Sequence, residues 1–152
     1  MGFFNDLKTK YVEITKSLTN EFLKYKNKDV LNALMATCAY IASADGAIDP
    51  AEKRKMVGFV KNSPIISVYG DTAAINVFNE HATRFEFDFG IGKAEALCAI
   101  GKFRDNADLA RLIIRAGIAI GSADGNFDPS EKAAVRDICK ELGQNPDDFV
   151  DL

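Results

Sequence analysis

Two stretches of this chain are near copies of each other. Residues 41–53 read I-A-S-A-D-G-A-I-D-P-A-E-K and residues 120–132 read I-G-S-A-D-G-N-F-D-P-S-E-K, with nine of thirteen positions identical at an offset of 79 residues. Two copies are too few for a solenoid, so the repeat predicts a duplicated half-domain. The halves are expected at about 29–62 and 106–143, within one helical domain over residues 1–152. Each copy sets three carboxylates at one spacing, Asp45, Asp49 and Glu52, then Asp124, Asp128 and Glu131.

The repeats sit between helical patterns. An amphipathic helix is expected over 3–26, with Phe4, Leu7, Tyr11, Ile14, Leu18, Phe22 and Tyr25 on one stripe. Asp29 can cap the next helix, which carries Val30, Leu31, Leu34, Met35, Cys38 and Ile41 and ends at Asp45-Gly46. Asp49-Pro50-Ala51-Glu52 then opens a further helix, with Asp49 at the N-cap, Pro50 at N1 and Glu52 completing a capping box. Asp128-Pro129-Ser130-Glu131 repeats that arrangement. Gly70-Asp71 starts another helix, Asn106 can cap one more, and Gly143 suits the residue just past the last long one. The alternating segment F-E-F-D-F-G-I-G-K has no second alternating run to pair with, so it reads as an extended linker before a helix over about 93–103. The expected class is all-α, with about seven helices in two helix–loop–helix halves.

Several functions are disfavoured. The net charge of −3 argues against general binding to nucleic acid, although residues 1–28 carry six lysines against three acids. No apolar run is long enough to span a bilayer, and the N-terminus lacks the pattern of a secretory signal. Three cysteines without a C-x-x-C point to a reducing cytosol. Cys38, Cys98 and Cys139 fall in phase with apolar stripes and read as core filler, against a thiol-based redox role. His81 is the single histidine and has no ligand-spaced partner. The lysines of the first helix read as a solvated face rather than a membrane anchor. No phosphate loop or nucleophile motif proposes an active site, and no organic cofactor is implied.

The acids admit two readings. The spacing D-G-x-[Ile/Phe]-D-x-x-E matches the second half of an EF-hand loop. Asp45 takes position 5, Gly46 position 6, Asp49 position 9 and Glu52 position 12, and the second copy aligns the same way. The first half departs from it. Position 1 is Ile41 or Ile120, which cannot ligate, and position 3 is Ser43 or Ser122. Weak binding of Ca²⁺, or less readily Mg²⁺, follows if the acids are ligands. If Asp49, Glu52, Asp128 and Glu131 are only caps, the chain is an interaction scaffold. Asp45 and Asp124 separate the two, because turn chemistry accepts Asn or Ser there equally.

The chain resembles the tellurite-resistance TerB family. The likeness runs through Phe3-Phe4, Tyr25-Lys26-Asn27-Lys28, Ala44-Asp45-Gly46, Glu52-Lys53 and Lys55-Met56, Phe85-x-Phe87-Asp88 and Ile91-Gly92-Lys93. It continues through Arg115-x-Gly117-Ile118-Ala119, Ala123-Asp124-Gly125-Asn126-Phe127-Asp128 and Glu131-Lys132. The resemblance implies an all-helical, non-enzymatic, cytoplasmic protein of tellurite or stress resistance. It implies partners of the same system, a TerC-type integral membrane protein and TerD-type calcium-binding proteins, the former able to recruit it to the inner face of the membrane. It also implies metal chelation by the acidic motifs.

Overall fold

The computed structural model describes residues 16–44, 50–121 and 128–149. Among them the chain is all-α, with eight helices and no strand. Residues 16–22 are the described part of α1, which runs into a 3-10 turn at Leu23–Tyr25. There follow α2 (Lys28–Ala42), α3 (Pro50–Asn62), α4 (Pro64–Ser67), α5 (Asp71–Phe87), α6 (Phe89–Gly101), α7 (Ala107–Gly121) and α8 (Pro129–Glu141), then a 3-10 turn at Pro146–Asp148. The helix beyond the seven expected is the short α4, where Pro64 at N1 starts a turn that buries Ile65 and Ile66.

The central helix is α2. Apart from Asn32 it is buried from Val30 through Ile41, and it packs against α5, α6, α7 and α8. Such a helix needs apolar residues on every face, and its sequence supplies them. Its facing helix α7 buries Leu109, Leu112, Ile113, Ala116 and Ile120. Gly117 lets the two approach, since a Cβ there would lie 2.6 Å from Thr37 Cγ2. Tyr40 of α2 donates to Asp137 Oδ2 of α8 at 2.7 Å, and Lys93 of α6 reaches the same oxygen at 3.4 Å. Three helices are thereby tied to one carboxylate. The N-terminal segment docks through Leu18 and Phe22, with Phe22 edge-on to Tyr69 and the Tyr69 hydroxyl donating to Tyr25 O.

Helix ends follow local chemistry, with two corrections. Asn27, not Asp29, caps α2, its side chain accepting from Val30 N at 3.0 Å. Both residues are cap-competent, and the one that adopts extended backbone takes the role. The segment read as an extended linker is a corner between helices. Only Asp88 lies outside them, closing α5 and accepting from Ile91 N to start α6, so α6 begins at Phe89 rather than near Lys93. As expected, Asn106 caps α7. Gly143, at φ +68°, ends α8 with Gln144 N bonded back to Cys139 O.

The repeat reappears in the helix bounds. Helices α2 and α7 each have 15 residues, α3 and α8 each have 13, and both pairs begin 79 residues apart. The surroundings differ. Helix α8 packs on α2, α6 and α7, whereas α3 lies against α4 and α5. The bounds repeat and the packing does not.

Candidate functional site

The acidic motifs are only partly within the described residues. Asp45, Asp49 and Asp124 lie outside them, and Glu52 is in the first turn of α3 with its side chain outside them. Asp128 and Glu131 are described, and they form the expected capping box. Asp128 Oδ1 accepts from Glu131 N at 2.9 Å, and Glu131 Oε1 accepts from Asp128 N at 3.2 Å. Each carboxylate satisfies a backbone donor that the first helical turn would otherwise leave bare. Asp128→Ala is expected to destabilise the fold by about 0.5–2 kcal/mol in excess chelator, read from urea melts. An unchanged midpoint would remove the capping role.

At the entry to the first loop stands Ser43, the residue that closes α2. It is 2% exposed, and among the described residues its Oγ has no hydrogen-bond partner. It occupies loop position 3 in the calcium-loop alignment. Among the described residues no three His, Cys, Asp or Glu side chains are placed to hold a metal ion.

The cysteines divide. Cys38 and Cys139 are buried as expected, and burial pushes their thiols up to about 12 and about 11. Cys98 is exposed, contrary to the sequence reading. Helix α6 turns Gly92, Ala96, Ala99 and Ile100 inward, leaving Cys98 on the outer side. Large apolar side chains also stand exposed at the α5–α6 corner, where Phe87 is 81% exposed beside Phe89 and Ile91.

Among its described residues the chain is a small all-helical module with helix pairs of matched length, in which the second acidic motif opens α8 through the Asp128–Glu131 capping box. A family model described as "Tellurite resistance protein TerB" matches residues 31–152. The chain is also 36% identical over 118 residues to a tellurium resistance protein TerB from Alcaligenes sp., covering 78% of this chain and 97% of that one. No solved structure matches it significantly. The chain belongs to the TerB family.

Proposed function

We propose that this chain is a non-enzymatic module of a tellurite-resistance system that binds a divalent cation weakly at its two D-G loops and docks onto partner proteins. Family membership supports the system. The observation that carries the cation is the Ser43 hydroxyl, two residues before Asp45, which is buried and has no hydrogen-bond partner among the described residues. Burying a hydroxyl unpaired costs about 1–3 kcal/mol, so such a group needs an explanation. A cation held by Asp45, Asp49 and Glu52 would supply the missing partner. Asp124, Asp128 and Glu131 would hold a second, with Ser122 at the matching position. These are oxygen donors throughout, which suits Ca²⁺ first and Mg²⁺ next.

A second reading, the cation-free scaffold, is favoured by the capping box. Glu131 Oε1 is engaged by Asp128 N, and ligating with both oxygens would release that bond. The same competition, with an apolar residue at loop position 1, sets the affinity low, at a dissociation constant of about 10⁻⁴–10⁻³ M for Ca²⁺. Asp45→Asn and Asp124→Asn keep size and turn propensity while removing one charge. Each is expected to weaken Ca²⁺ binding several-fold by calorimetry, with stability in chelator nearly unchanged. If millimolar Ca²⁺ gives no heat and moves no amide resonance in residues 43–52 or 122–131, the scaffold reading stands instead.

The partners in this reading are TerC-type and TerD-type proteins, with recruitment to the inner face of the membrane by the former. Among the described residues no helix is long and apolar enough to cross a bilayer, so an association of that region with the membrane would run through a partner or the surface. The exposed aromatics at the α5–α6 corner support docking on a protein with an apolar face.

A further inference from the structure

We propose that the cleft between α2, α5 and α6 binds a small zwitterion, a molecule with one carboxylate and one ammonium beside a short aliphatic group. The cleft is open to solvent and has a volume of about 560 Å³, within the range of small-molecule sites. Its wall holds a part-buried polar chain. His81, 2% exposed, donates from Nε2 to Asn32 Oδ1 at 2.7 Å. That bond leaves Nδ1 as an acceptor, and Arg84 Nη1 lies 3.4 Å from it. Burial, with help from the Arg84 charge, lowers the His81 pKa to about 4, so the ring is neutral at pH 7. The imidazole therefore orients Arg84 without adding a charge.

Arg84 makes no ion pair among the described residues. Arg84 lines the cleft and is partly buried, and among the described residues His81 is its one side-chain partner. A planar fork held in place and lacking a carboxylate is the geometry that takes one up. The acids lining the same cleft, Asp29, Glu80 and Glu95, are all exposed and also make no ion pair among the described residues. Arg84 is thus less exposed than the acids. A ligand carboxylate would go to Arg84 and an ammonium outward to the acids. Leu31, Val77 and Ala99 supply apolar wall in the same cleft. Lys28 and Lys102 bring the lining to three cations and three acids, a balance that suits a neutral zwitterion better than a polyanion.

The same cleft carries a reporter, because Cys98 lines it and is exposed while Cys38 and Cys139 are buried. The test is titration of the full chain with L-leucine, followed by amide shifts and by the rate of Cys98 alkylation with iodoacetamide. The controls are 4-methylpentanoate, which lacks the ammonium, and isoamylamine, which lacks the carboxylate. L-leucine is expected to bind with a dissociation constant of about 1 mM or tighter, to shift cleft resonances and to slow alkylation. Arg84→Gln should weaken binding about tenfold, as the loss of a charge-assisted hydrogen bond implies. Glu80→Gln with Glu95→Gln alters only exposed side chains, so the fold is kept. It should bring L-leucine towards the level of 4-methylpentanoate, with Asp29 the one acid left in the lining. No shift in cleft residues at about 10 mM L-leucine would overturn the proposal. So would equal binding of either single-charge control to the unmodified chain, or undiminished binding by folded Arg84→Gln.

Discussion

Gly92→Ala is expected to cost the fold at least about 1–3 kcal/mol, the range for forcing an extra group into a packed interior. A Cβ at Gly92 would stand 2.7 Å from both the backbone N and the Cα of Phe85, and 2.7 Å from its ring. Backbone atoms cannot step aside as a side-chain tip can, so α5 and α6 would have to part at their corner. Phe85 is also stacked on Tyr40, with ring centroids 5.7 Å apart, and Tyr40 carries the hydroxyl that bonds Asp137. Parting the corner therefore strains the contacts among α2, α5, α6 and α8. Gly58→Ala is the control with the opposite sign. It lies inside α3 and a Cβ there meets nothing within 4 Å. Alanine should stabilise that helix by up to about 1 kcal/mol through propensity alone. Urea melts of the two variants check both halves. Equal midpoints would mean that the α5–α6 approach is looser than the backbone distances require.

The same corner explains where sequence reasoning stopped. F-E-F-D-F alternates like a strand because two helix ends meet there. Phe85 faces the core at the end of α5, Phe87 points to solvent, and Phe89 opens α6 against Phe85 and Tyr40. Alternation of period two carries no mark of a helix break, and the cap at Asp88 is visible only once its backbone is known to be extended. Cys98 eludes the sequence pattern for a related reason. Helix α6 is rich in small and apolar residues on all sides, so several stripes fit and the sequence offers no contrast to choose between them. Capping was more legible. The box at Asp128 and Glu131 and the turn at Gly143 depend on residues adjacent in sequence, and both stand where the residues placed them. His81 could have been found. Positions 78, 81, 82 and 85 form one helical stripe with Phe78, Ala82 and Phe85, and all four are buried. A histidine on a core stripe requires a polar partner, which proves to be Asn32, 49 residues away. That pairing is tertiary and no local rule supplies it.

Ser43→Ala is expected to stabilise the fold without cation and to blunt its response to Ca²⁺. In excess chelator it should stabilise the fold by about 1–3 kcal/mol, because it deletes a buried hydroxyl that has no partner among the described residues. In Ca²⁺ the unmodified chain has something to gain that the variant has lost. A ligand at one to ten times its dissociation constant stabilises the folded state by about 0.4–1.4 kcal/mol. At about 1 mM Ca²⁺ and the affinity expected from the weak end of calcium loops, the unmodified chain falls in that range. The variant, with position 3 of the first loop emptied of oxygen, should gain less. The lead it holds in chelator therefore narrows as Ca²⁺ is added. The two readouts separate the rival accounts of the loop. A variant less stable than the unmodified chain in chelator would mean that the hydroxyl has a partner in the apo fold, and the argument for a cation would lose its support. A variant stabilised in chelator that gains as much from Ca²⁺ as the unmodified chain would place the cation away from Ser43. Only a gain in chelator with a reduced response to Ca²⁺ fits a hydroxyl held ready for a metal ion, because a group that serves only the fold has no reason to be buried unpaired.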